Sequence, residues 1–121
     1  MITHIKFVSV PTTDQDRALV FYTQKLGFKL VTDQPSNAGG QRWIELRLAS
    51  SETRLVLFTA EGGPKPGFIF NGALACDSVE RTYEELLARG VEFVAPPQKE
   101  PWGTFATFKD PDGNQFVVSS R

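Results

Sequence analysis

Two stretches of this chain, 14–30 (DQDRALVFYTQKLGFKL) and 77–93 (DSVERTYEELLARGVEF), carry one pattern twice. Each opens on Asp, runs at helical spacing, reaches Gly thirteen residues later and continues into an alternating apolar stretch, with an offset of 63 between the copies. The likeness lies in pattern rather than identity, which is the signature of a duplicated supersecondary unit. Such a repeat restricts the fold, because each half must build the same small layer, and the seam between like units is where pockets form.

The first half starts with a strand over 4–10, in which Ile5, Phe7 and Ser9 alternate with Lys6, Val8 and Val10. Pro11-Thr12-Thr13 breaks it, and Thr13 or Asp14 is suited to cap the helix that follows. Ala18, Tyr22 and Leu26 form that helix's apolar stripe, and Gly27 fits the left-handed position that ends a helix. Phe28–Val31 reads as a strand and 34–41 (QPSNAGGQ) as a loop. In the next strand Ile44, Leu46 and Leu48 point one way and Trp43, Glu45 and Arg47 the other, and RLVLFT follows as the fourth strand. EGGPKPG (61–67) is the expected linker. The second half repeats the order: a strand over 68–76, a helix capped by Asp77 with Glu80 as its capping-box partner, and a stop at Gly90. Its helix stripe is Val79, Tyr83, Leu86 and Leu87. Val91–Val94 is a strand, APPQKEPWG a loop, TFATFK a strand, DPDGN a tight turn and QFVVSS the last strand. Each half is thus β-α-β-β-β. The expected fold is α+β in one domain, 1–121, with module 1 at about 3–60 and module 2 at about 68–120.

Thirteen basic against fourteen acidic residues, without a basic stripe, argue against nucleic acid as a partner. No run of eighteen apolar residues marks a membrane span, and MITHIKFVSV lacks the parts of a signal peptide. Cys76 is the only cysteine, which leaves no intrachain disulfide. A cytoplasmic location is the expectation.

The paired unit, together with Phe21-Tyr22, Leu26-Gly27-Phe28, Pro101-Trp102-Gly103 and the closing Asp110-Pro111-Asp112-Gly113-Asn114, resembles the vicinal oxygen chelate superfamily of glyoxalase I, the bleomycin resistance proteins and the extradiol dioxygenases. The resemblance implies an open, curved, barrel-like mixed sheet around a ligand cleft, helices on its outside, and a homodimer. In metal-dependent relatives a divalent ion held by His and Glu binds both substrate oxygens and stabilises an enediolate. The four positions that would hold it fall here on Phe7, Leu57, Asn71 and Val117. Phe, Leu and Val cannot coordinate, and a neutral Asn amide is a poor sole donor. The expectation is therefore no metal and no cofactor. His4, the single histidine, is read as an edge residue, with a non-standard metal site there left open.

The face carrying Trp43, Glu45 and Arg47 is too polar for a plain core. It is either a solvated face with an internal Glu–Arg pair or a cleft wall where Trp stacks on a ligand. Trp102 plugs the sheet end or walls the pocket, as the PWG of bleomycin-binding relatives looks to do. An apolar floor of Phe7, Leu57, Val117 and Phe105 or Phe108, rimmed by Glu45, Arg47, Asn71 and Gln115, suits an apolar or aromatic organic molecule. The favoured function is binding without turnover. The alternatives are a glyoxalase-like lyase or isomerase, with Glu45 as the candidate acid–base group, and a module that docks a partner protein. A net charge of −1 argues against cationic bleomycin itself as the ligand.

Overall fold

The computed structural model of the chain describes residues 1–35, 41–59 and 65–120. It divides into two compact units, Met1–Pro66 and Gly67–Arg121. Most of the expected linker, 61–64, lies outside the described residues.

In the first unit, strand β1 (Phe7–Pro11) leads to helix α1 (Gln15–Val20), which continues as a π-helical turn (Phe21–Lys25). Strands β2 (Lys29–Pro35), β3 (Arg42–Arg47) and β4 (Arg54–Phe58) follow. The sheet order is β1-β4-β3-β2, with β1 parallel to β4 and the other pairs antiparallel. In the second unit, β5 (Ile69–Ala75), helix α2 (Val79–Ala88), β6 (Glu92–Phe93), β7 (Gln98–Glu100), β8 (Gly103–Lys109) and β9 (Gln115–Ser120) form the order β5-β9-β8-β6, with β7 also on β8. Again the first strand runs parallel to the last. The repeat is therefore one topology built twice, an α+β fold of two open mixed sheets.

Each helix covers its own sheet, α1 against β4 and α2 against β8 and β9. Ala18, Phe21 and Tyr22 are buried beneath the first helix, where Ile44, Leu46, Leu55 and Leu57 complete the layer. In the second unit, Val79 and Leu86 meet a core of Ala106, Phe108, Phe116 and Val118, whereas Leu87, expected in the stripe, is exposed.

The structure corrects several boundaries. β1 begins at Phe7 rather than His4, and β2 runs on to Pro35. The stretch read as a loop over 95–103 contains β7, whose polar QKE sequence carries no apolar alternation and pairs through its backbone. Asp14 caps α1 by accepting from Arg17 N–H at 3.0 Å. The cap of α2 is Ser78, not Asp77, since the Ser78 hydroxyl accepts from Arg81 N–H at 3.2 Å. Cap and glycine are thus thirteen residues apart in the first unit and twelve in the second. The π turn takes up the additional residue: Leu26 N–H reaches Phe21 O, and Phe28 N–H reaches Tyr22 O six residues back, where the equivalent Val91 N–H reaches Leu86 O five back. Gly27 and Gly90 hold φ of +78° and +87°, the left-handed conformation expected of Gly27 and found also at the stop at Gly90.

Gln15 ties α1 to its sheet. Its Nε2 donates to Arg42 O (2.7 Å) and Leu57 O (3.0 Å), and its Oε1 accepts from Arg42 N–H (3.0 Å). These groups lie where the β3–β4 ladder ends at Ile44 and Leu57, so the side chain substitutes for missing sheet bonds. Gln15→Ala is expected to cost about 1–3 kcal/mol, because part-buried backbone groups lose their partners. Urea unfolding should show a lowered midpoint with an unchanged slope.

Candidate functional site

Residues directly opposed on neighbouring strands share a sheet face. In the first unit the pairs Phe7–Arg54, Ser9–Val56, Glu45–Val56 and Arg47–Arg54 place Phe7, Ser9, Arg54, Val56, Glu45 and Arg47 on the face turned away from α1. Trp43 shares it by alternation along β3, and its ring meets Phe7 edge-on at 5.5 Å between centroids. Both rings remain more than a third exposed, at 38% for Phe7 and 37% for Trp43. The register thus puts Phe7 on the same sheet face as Trp43, Glu45 and Arg47.

Leu57 is not part of it. It pairs with Ile44, on the opposite face of the sheet. Val56, one residue earlier, is the β4 side chain that shares the Phe7 face. Glu45 and Arg47 form no ion pair with each other among the described residues, so the internal pair that a plain solvated face would carry is absent there. Arg42, which starts the strand, is held instead by Asp33 (3.0 Å) and Asp16 (2.7 Å). Hydrogen bonds to Asp33 and then Asp16 raise the Arg42 pKa further above its ordinary value, so this clip on the Trp43 strand stays charged.

In the second unit the pairs Phe105–Ser119, Thr107–Val117 and Lys109–Gln115 place Phe105, Val117 and Gln115 on one face, with Ala73 and Ala75 of β5 beside them. Phe108 pairs with Phe116 on the opposite, core face. Trp102 is 63% exposed and stacks on Phe105 at 5.6 Å with 18° between the planes. Two hollows border Trp102. One, of about 340 Å³, is lined by Ala73, Ala75, Cys76 and Ser119. The other, of about 530 Å³, runs from Glu100 and Thr104 to the start of α2. Both fall in the size range of small-molecule sites. Asn71 is exposed, in the stretch between Ile69 and Ala73 where β5 departs from regular pairing with β9. It stands seven residues before its cap Ser78, as Phe7 does before Asp14.

The residues at the candidate metal positions make a poor donor set. With Val56 in place of Leu57, the four positions carry Phe7, Val56, Asn71 and Val117, three hydrocarbons and one amide, which do not fit a divalent ion. His4 lies before β1 and pairs with Glu52 at 3.2 Å. Among the described residues no three His, Cys, Asp or Glu converge to hold a metal.

A profile of the Glyoxalase/Bleomycin resistance protein/Dioxygenase superfamily matches residues 2–118. The chain belongs to this superfamily. It is 37% identical over 123 residues to the uncharacterized protein YetH of Bacillus subtilis (strain 168), covering 98% of each. Its structure is similar to that of a superfamily member from Sphaerobacter thermophilus DSM 20745 (TM-score 0.90, 31% identity, 99% and 98% of the two chains). It is also similar to TnmS3, an antibiotic binding protein from Streptomyces sp. CB03234 (TM-score 0.87, 36% identity, 98% and 96%). Among the described residues no helix of this superfamily member is long and apolar enough to cross a membrane.

Proposed function

We propose that this chain binds an apolar or aromatic organic molecule without a metal ion, as a homodimer in which residues 1–121 act as one domain. The observation that carries this reading is the pair of exposed aromatic clusters, Phe7–Trp43 in the first unit and Trp102–Phe105 in the second. Flat rings held open to solvent offer stacking area at little entropic cost, and Glu45, Arg47 and Gln115 beside them supply orienting polar contacts. The likeness to an antibiotic binding protein at 36% identity supports the same class of ligand. Exposed Ile5, Leu30, Val31 and Ile69 offer apolar area to a second copy.

The test is titration with N-phenyl-1-naphthylamine, an uncharged fluorescent naphthalene. Saturable binding is expected, unchanged after dialysis against a chelator. Trp43→Ala should weaken binding at the first cluster, and Trp102→Ala binding at the second, by about tenfold, the loss of roughly 1.4 kcal/mol of stacking. Light scattering on the same samples should give twice the mass of the chain. Absence of saturable binding, or binding lost on chelation and restored by a divalent ion, would overturn the proposal.

A further inference from the structure

The face that carries Phe7 and Trp43 also carries a line of cations. Lys29 of β2 stands opposite Arg47 of β3, and Arg47 stands opposite Arg54 of β4. On β1 the next position in the line is Phe7. Like charges opposed across strands repel and lower sheet stability. No ion pair to Lys29, Arg47 or Arg54 is found among the described residues. Glu45 lies one cross-strand pair further along the same face and bonds to none of them there. The line passes from exposed Lys29 and Arg47 to half-buried Arg54. There the Arg54 Nη1 is shut off from solvent and has no hydrogen-bond partner among the described residues. A covered guanidinium N–H without an acceptor is costly, and such groups in folded proteins point to an absent partner.

We infer that Lys29, Arg47 and Arg54 form an anion subsite beside the Phe7–Trp43 rings, and that the ligand is an aromatic acid whose carboxylate sits on Arg54. The inference rests on the binding reading above and narrows its ligand class. A carboxylate matches the planar fork of a guanidinium with two parallel N–H···O bonds, and charge-assisted bonds are about twice as strong as neutral ones. Phe7, next to Arg54 across β1 and β4, would meet the ring that bears the acid. The opposed cations then have a counter-charge, and the covered N–H an acceptor.

Two probes of one shape separate the ideas: 1-naphthoate and its uncharged amide, 1-naphthamide, titrated by calorimetry. The unaltered protein should bind the acid at least about tenfold more tightly than the amide, with the difference shrinking as salt is raised. Arg54→Met should bring the ratio to about one. Its melting temperature should hold or rise, since an uncompensated cation is removed, whereas an arginine that merely packs would lower it. If Arg54→Met does not fold, Lys29→Gln with Arg47→Gln at the exposed end should still reduce the preference. Equal affinity for acid and amide in the unaltered protein, or a preference that survives in Arg54→Met, overturns the anion subsite while leaving the binding reading intact. Binding of neither naphthalene overturns both.

Discussion

Phe116→Ala is expected to destabilise the protein by about 3–5 kcal/mol, the range for removing a buried aromatic ring from a core. Phe116 is 1% exposed. Its ring stacks on Phe108 at 5.6 Å, lies tilted against Phe70 at 5.4 Å and meets Phe68 edge-on at 6.4 Å. Those partners belong to β8 and to the start of the second unit, so one side chain joins both neighbours of β9. Truncation leaves a cavity bounded by three rings that cannot all close upon it. Against a total stability of about 5–15 kcal/mol, the loss is a large share. Thermal unfolding followed by circular dichroism measures it. Phe116→Leu should keep most of the volume and lose less than half as much. Equal losses in the two variants would show that packing volume is not what the ring contributes.

Asn114→Ala should rank next, at about 2–4 kcal/mol, for a reason that has little to do with volume. Asn114 is fully buried. Its Oδ1 accepts from Gly67 N–H (2.8 Å) and Phe68 N–H (3.2 Å), and its Nδ2 donates to Asp110 Oδ2 (2.8 Å). Asp110 Oδ1 in turn accepts from Asn114 N–H (2.9 Å) and Asp112 N–H (3.0 Å). The DPDGN turn is thus a buried latch that closes the β8–β9 hairpin and fixes where β5 begins, with Gly113 at φ +80° completing it. Alanine leaves two backbone donors in part-buried bonds and one buried carboxylate oxygen without that partner, and a group orphaned in a buried setting costs about 1–3 kcal/mol. Hydrogen exchange should quicken at the amides of Gly67 and Phe68 ahead of the β8–β9 ladder. Unchanged protection at those two amides would mean that the latch is not what orders the entry to β5.

The repeat, the order of the elements other than β7 and both terminating glycines were legible in the sequence, because Gly, Asp and apolar periodicity act locally. The grouping of Trp43, Glu45 and Arg47 was legible too, since β3 alternates cleanly between Ile44 and Leu46 on one side and polar residues on the other. β4 was harder. Leu55, Val56 and Leu57 are consecutive apolar residues, all buried because the strand lies between β1 and β3, and an unbroken run holds no sign of which side chain faces where. A slip of one residue exchanges the faces, and that slip separates the expected Leu57 from the observed Val56. The cap of α2 slipped for a related reason: Asp77 and Ser78 are both good caps, and the Asp-to-Gly spacing of the first half favoured the wrong one. Arg54 was missed because a strand-initial arginine looks like a solvated end. Only pairing with Arg47 and Phe7 reveals its company.

The π turn in the first helix has a consequence for how this architecture tolerates changes of length. One residue inserted in a strand would turn every following side chain to the opposite face and ruin the sheet. The same residue placed between Asp14 and Gly27 is stored as a single widened turn, and the strands on either side keep the pairing seen in the second unit. Descendants of a duplicated unit can therefore drift apart in length within their helices while their sheet faces stay in phase. Deleting one residue from 21–25 would turn the first helix into the likeness of the second.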